Sequence, residues 1–162
     1  MFDERLFLPQ LKDWIRKPIP QELPAVSGWK EVLIEECGQK LVPLGPFSDN
    51  DEIFTDSIYF GERSDSPYAS KPIEGSLITM FVRQSVAEQL KQALKSLPKG
   101  MYLVVFDAYR NLETQQSLFN VYHQALREQN PDWSEDQLLA KTQKYVSLPS
   151  KDPAKPSPHN TG

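Results

Sequence analysis

Two short stretches of this chain hold residue types that do chemistry. The first is Asp107-Ala108-Tyr109-Arg110, and the second is Ser157-Pro158-His159-Asn160-Thr161-Gly162, which carries one of only two histidines. Arginine is permanently charged and forked, so Arg110 can stabilise a developing oxyanion. A structural ion pair between Asp107 and Arg110 is the competing reading. In the second stretch Ser157-x-His159-x-x-Gly162 sets a hydroxyl two residues before an imidazole. On a β-strand these two side chains would share one face, and the glycine would let the backbone turn tightly behind them. A metal ligand on tight backbone is one reading of His159, and a frayed polar terminus is the other.

The first cluster comes directly off Met101-Tyr102-Leu103-Val104-Val105-Phe106, a nearly continuous apolar run of the kind that forms a strand buried on both faces or central to a sheet. Such strand ends commonly present side chains into a cleft. Before it, Val86, Leu90, Ala93, Leu94 and Leu97 repeat at helical spacing, with Ser85 and Glu88 as a capping box and Pro98-Lys99-Gly100 as a stop. After it, Leu118, Val121, Tyr122, Ala125 and Leu126 predict a second helix over 112–128, stopped by Asn130-Pro131. A third helix starts at Ser134, boxed with Gln137, and carries Leu138, Leu139 and Tyr145.

The first half of the chain reads less regularly. Prolines crowd residues 9–24, which predicts an extended arm over about residues 1–30 with a short helix around 11–16. Residues 31–35 and 40–44 read as a hairpin with Pro43 on its edge. A short strand is expected within 53–60 and a loop over 61–72. The run 76–82 reads as a buried strand or a docking segment.

Composition removes several classes of function. At 162 residues, 39% hydrophobic and 10% aromatic, the chain suits a single globular domain over 1–162. A net charge of −4 with both signs intermixed gives no footprint for nucleic acid. No apolar run is long enough to span a membrane, and the first residues lack the apolar core of a secretory signal. The cytoplasm is the default compartment, with the periplasm the alternative for a processed precursor. The single cysteine, Cys37, reads as a small core or strand residue. His123 has no ligand partner at helical spacing and reads as packed or solvent-facing. Trp14, Trp29 and Trp133 read as packing under irregular segments.

Taken in order, Asp107-Ala108-Tyr109-Arg110 after an apolar strand, a helical stretch, and then Ser157-x-His159-x-x-Gly162 resemble the zinc D-alanyl-D-alanine dipeptidases of the vancomycin-resistance type. These sit within a wider family of D,D-carboxypeptidases and cell-wall peptidases. The resemblance covers roughly residues 53–162. It implies an α+β fold, a small central and mostly antiparallel sheet with helices packed on it. It implies Zn2+ as cofactor, with His159 as a metal ligand, and D-Ala-D-Ala or a small cell-wall peptide as substrate. Arg110 would stabilise the tetrahedral intermediate as the catalytic arginine, Ser157 would bind substrate, and Asp107 and Tyr109 would support Arg110. Tyr59 is a candidate for the family's substrate-side tyrosine, with a packed aromatic as the other reading.

In that family the second motif runs on as Ser-x-His-x-x-Gly-x-Ala-x-Asp, and a later Glu-x-x-His segment adds the general base and third ligand. The second ligand would therefore fall beyond Gly162. A C-terminal companion fragment is an expected partner, and the 162 residues alone are expected to be inactive. The alternative is a non-catalytic module on the same fold that binds a peptide or partner.

Overall fold

The structure is a computed structural model that describes Gly28 and residues 34–45, 53–152 and 155–161. The chain divides into two compact units, Met1–Val32 and Leu33–Gly162. The expected N-terminal arm, with Trp14, and also Trp29 and Gly162, lie outside the described residues. Everything below concerns the second unit.

That unit is α+β. Its elements are β1 (Leu41–Pro43), β2 (Ile53–Thr55), β3 (Phe81–Arg83), α1 (Gln84–Lys95), β4 (Leu103–Val105), α2 (Leu112–Gln129), α3 (Glu135–Thr142) and a final 3₁₀ turn, Pro158–Asn160. Among the described residues the strands make two separate pairs. β1 runs antiparallel to β3 with Val42 opposite Val82, and β2 runs parallel to β4 with Phe54 opposite Val104. The expectation of a mostly antiparallel sheet therefore holds for one pair and fails for the other. A parallel pair needs a long crossover, and here the chain between β2 and β4 supplies β3 and α1.

The core explains the first pair. Leu44, Met80, Val82 and Ala87 form one buried cluster, with Val42, Val86 and Leu90 packed against it. Val42 and Val82 reach that cluster only if β1 pairs with β3. β1 thus takes a long-range partner, and residues 34–40 carry no strand, while residues 31–33 of the expected hairpin lie outside the described residues. Pro43, which has no N–H to give, is tolerated opposite Phe81 in a pair with open edges. Cys37 is exposed rather than part of a core or strand.

Helix α1 follows β3 without a loop, so its start differs from the sequence expectation. Arg83 is the N-cap and its side chain makes no capping bond. Ser85 then falls inside the first turn, and the Gln39 side chain accepts from its backbone N–H at 3.0 Å. A tertiary contact supplies the cap that Ser85 and Glu88 were expected to supply, and Glu88 instead accepts from Gln84 at 3.2 Å. The run 76–82 yields a strand only at its end, leaving Leu77 and Ile78 exposed.

The second and third helices match their patterns more closely. Asn111 caps α2 by accepting from Thr114 N at 2.7 Å, and Leu118, Phe119 and Leu126 are buried on its inner face. Val121 is exposed, so the apolar stripe is narrower than expected. Helix α3 begins with the full Ser134–Gln137 capping box and buries Leu138. It ends at Thr142, whose hydroxyl donates to Leu138 O at 2.7 Å. Tyr145 lies beyond it and is exposed. His123 is packed, stacked on Phe119 with ring centroids 5.8 Å apart and its Nε2 3.1 Å from Glu135.

Strand β4 corrects another expectation. It is three residues long, and its side chains alternate, with Val104 47% exposed between two less exposed neighbours. A strand with one covered face buries every second residue, and among the described residues β4 pairs with β2 alone, so this apolar run is at an edge there. Trp133 is also partly exposed rather than packed under a loop.

Candidate ion-pair site at the end of strand β4

Past β4 the chain is fastened on two sides. Ile58 N donates to Phe106 O at 3.2 Å, and Tyr109 N donates to Phe81 O at 2.9 Å. These bonds hold residues 106–109 between the two strand pairs and fix the direction of Asp107 and Arg110. Asn111 then opens α2 and ties back to the preceding loop by donating to Gly75 O at 2.9 Å.

Asp107 Oδ2 is the hub. Arg110 Nη2 donates to it at 2.5 Å, the Tyr59 hydroxyl lies 3.4 Å away as a donor, and His159 Nδ1 is 3.3 Å away. Arg110 makes further bonds: Nη2 to the Tyr59 hydroxyl at 2.5 Å and Nη1 to Gln115 Oε1 at 2.7 Å. Its guanidinium carbon also lies 4.5 Å from the centre of the Tyr59 ring. The arginine side chain is 10% exposed and that of Asp107 24%. Among the described residues Arg110 Nε is buried without a partner. Such a group costs free energy unless something pairs with it.

Tyr59 is held by a loop that folds back on itself. Ile73 N donates to Tyr59 O at 2.9 Å, the Ser66 hydroxyl donates to Ile58 O at 2.7 Å, and the Tyr59 and Tyr68 rings lie 5.5 Å apart. Gly61 makes this possible. Its φ is +76°, and a Cβ there would lie 2.5 Å from Tyr68 O. Burial pushes the Tyr59 phenol up to about 12, with the Asp107 carboxylate adding to the shift and Arg110 opposing it. The phenol is therefore a neutral donor across the physiological range.

The terminal stretch is held, not frayed. Arg110 N donates to His159 O at 2.7 Å, Asn160 Nδ2 donates to Arg110 O at 3.0 Å, and Arg83 Nε donates to Thr161 O at 2.8 Å. The conformation is a 3₁₀ turn rather than a strand, and this separates the two motif side chains. Ser157 is 4% exposed and its hydroxyl accepts from Ser150 N at 2.9 Å. The His159 side chain is 51% exposed. The common face expected for Ser157 and His159 is therefore not formed.

The structure thus brings Asp107, Arg110 and His159 together, confirms the Asp107–Arg110 ion pair, and adds Tyr59. It places Ser157 underneath the turn and Tyr109 on its flank, with Asn160 Nδ2 3.5 Å from the Tyr109 hydroxyl. Sequence reasoning missed Gln115, Asn160 and Arg83. A polar residue on the buried face of α2 is the signal that points to Gln115, whose amide also donates to Ser147 O at 2.7 Å. Arg83 and Asn160 carry no local signal.

A zinc ion is what the resemblance asks of this site. A proton on His159 Nδ1 would face Asp107 and leave Nε2 with its lone pair for a metal, the usual arrangement of a ligating histidine. Catalytic zinc takes about three protein ligands, and no group of three candidate ligands occurs among the described residues. Asp107 is also committed to Arg110 through the oxygen that faces His159. These residues by themselves do not fit a catalytic zinc. Tyr59, Asp107 and Arg110 line a cleft with Ser57 and Thr79 that has room for roughly one water molecule. No family model, no curated protein and no solved structure matches this chain.

Proposed function

We propose that the chain carries the arginine half of a zinc D,D-peptidase site, acting on D-alanyl-D-alanine or a related cell-wall peptide. One observation carries this reading: the two motifs that resemble that family, about fifty residues apart, converge on Asp107 Oδ2. In this reading Arg110 presents a fixed positive charge to the carbonyl oxygen as it gains charge, in a site mostly shielded from water. Asp107 and the neutral Tyr59 hydroxyl hold the guanidinium in place. His159 offers Nε2 as one metal ligand, and the remaining ligands and the general base come from outside the described residues.

Release of D-alanine from D-Ala-D-Ala is the test. With the further ligands supplied, turnover is expected to vanish with a chelator and return with zinc. Arg110→Ala is expected to lower it by about two to three orders of magnitude, the typical loss for an oxyanion donor. The 162 residues alone are expected to hold little zinc and release no D-alanine. Stoichiometric zinc in a mass-verified sample of these residues would overturn that part of the reading.

A specific observation favours a second reading, a non-catalytic module that binds a peptide or partner. Both terminal nitrogens of Arg110 are already engaged and the adjoining cleft is tight. That is how a structural ion pair looks. If the protein with its ligands intact hydrolyses no D,D- or L,D-peptide, this second reading stands.

A further inference from the structure

A separate surface, sharing no residue with the Asp107 cluster, lies on the outer face of the β2–β4 pair. Tyr102, Val104 and Phe106 alternate along one side of the chain at β4, and Phe54 stands opposite Val104 in the register. All four are about half exposed, at 46–57%. The Phe54 and Tyr102 rings meet edge to face with centroids 5.5 Å apart, so the patch is ordered by its own contacts. Exposed apolar groups gathered on one sheet face, as opposed to scattered singly, are what interaction sites present.

Tyr102 also lines a groove of about 670 Å³ beside the C-terminal half of α1 and the turn that follows it. Leu94, Leu97, Pro98 and Met101 give the groove apolar walls. Among the described residues its charges are Lys91, Lys95 and Lys99 against Glu88. In a chain whose net charge is −4 this is a local reversal of sign. Lys91 and Lys95 are one helical turn apart, so they stand on the same side of α1.

We propose that the groove and the adjoining aromatic face form a docking site for an acidic segment of a partner protein. The partner's apolar side chains lie across Phe54, Tyr102 and Val104, and its carboxylates meet Lys91, Lys95 and Lys99. Charge complementarity selects this occupant: like-charge contacts exclude basic segments, and opposite charge speeds encounter. The positive charge lines a concave groove, a shape that accepts a peptide rather than a flat bilayer.

The test uses the full chain and a fluorescent peptide that alternates glutamate with leucine and phenylalanine, with anisotropy as the readout. A matched peptide with glutamine for glutamate and vesicles of phosphatidylglycerol serve as comparison probes. The acidic peptide is expected to bind at least about ten-fold more tightly than the glutamine version, with affinity falling as salt rises. Lys95→Glu with Lys99→Glu is expected to weaken binding by about ten-fold or more, as is Tyr102→Ser, with the far-ultraviolet dichroism of the folded chain retained. Lys95→Gln with Lys99→Gln, a milder change, is expected to give an intermediate loss. Equal binding of the two peptides, or binding indifferent to the lysine changes, overturns the proposal. So does binding to the vesicles without binding to the acidic peptide, which assigns the surface to a membrane. Sedimentation showing self-association that Tyr102→Ser abolishes, with no peptide bound, also overturns it and assigns the face to a second copy.

Discussion

The α2–α3 helix pair and the Asp107 cluster are both held by polar groups as well as by packing, yet they are built in opposite ways. In the helix pair nearly every contact is local or joins neighbouring elements. Ser134 caps its own helix, Thr142 bonds one turn back, and His123 and Arg127 reach Glu135 on the next helix. The cluster instead draws Tyr59, Asp107, Arg110 and His159 from segments up to a hundred residues apart. Its charged pair is largely buried, whereas Glu135 and Arg127 are open to water. Burial changes what a charge is worth. An exposed ion pair contributes about 0–1 kcal/mol, whereas removing one partner of a buried pair costs about 3–5 kcal/mol because a charge is left unmatched.

Arg110→Ala is therefore expected to produce the largest loss of stability, about 3–5 kcal/mol in a urea titration. It strands Asp107 beside Tyr59 and removes the cation stacked on the Tyr59 ring. Arg127→Ala, made on the open pair, is the control and is expected to stay within about 1 kcal/mol of the parent. Equal effects from the two changes would erase the contrast and show that Arg110 is solvated in solution. Leu138→Ala comes next, at about 2–4 kcal/mol, because Leu138 is 2% exposed between α2 and α3. Its loss is one of apolar packing, so it should not depend on salt.

This contrast also explains what the sequence made legible. The span of α2 follows from its periodicity and the start of α3 from the Ser134–Gln137 box, whereas α3 stops at Thr142, short of the Tyr145 expected on it. The partner of β1 and the cap of α1 differ from expectation because the deciding residues are remote. Val42 pairs with Val82 to reach the core, and Gln39 replaces the cap expected from Ser85. The β4 run looked central because all its residues are apolar, and composition does not reveal that only one face is covered. At the site, Asp107, Arg110 and His159 were visible as residue types in order. The turn that buries Ser157 and exposes His159 was not, because a strand and a 3₁₀ turn serve the same six residues equally well in sequence. Nothing in the sequence around Tyr59 distinguishes an aromatic that packs from one that covers an arginine.

A smaller effect probes the local side of the comparison. Ser134→Ala removes the hydroxyl that accepts from Gln137 N and keeps only the other half of the box, from the backbone N–H of residue 134 to Gln137 Oε1. The expected cost is about 1 kcal/mol by thermal or urea unfolding. A cost near that of Arg110→Ala would mean that α3 nucleates the unit, and the distinction between local and long-range control would need redrawing.

The finest test uses pH, because burial raises the phenol of Tyr59 in the cluster, and that of Tyr68 beside it. The Tyr59 phenol titrates near 10 in an unfolded chain and is pushed up to about 12 here, first by burial and then by the Asp107 carboxylate. The folded state therefore holds the proton more tightly than the unfolded state. That contribution to stability is fully present below pH 10 and is lost as pH rises from 10 through 12. Ultraviolet titration of the phenolates should show Tyr59, and Tyr68 beside it, ionising later in the parent than after unfolding. Tyr59→Phe should remove the step near pH 12 and leave the delayed ionisation of Tyr68, making the stability profile flatter over the same interval, while at neutral pH it removes one hydrogen bond to Arg110, worth about 1 kcal/mol. A parent whose tyrosines all ionise together near pH 10 would show the hydroxyl open to water. The cluster would then be no more enclosed than the Arg127–Glu135 pair on the helices.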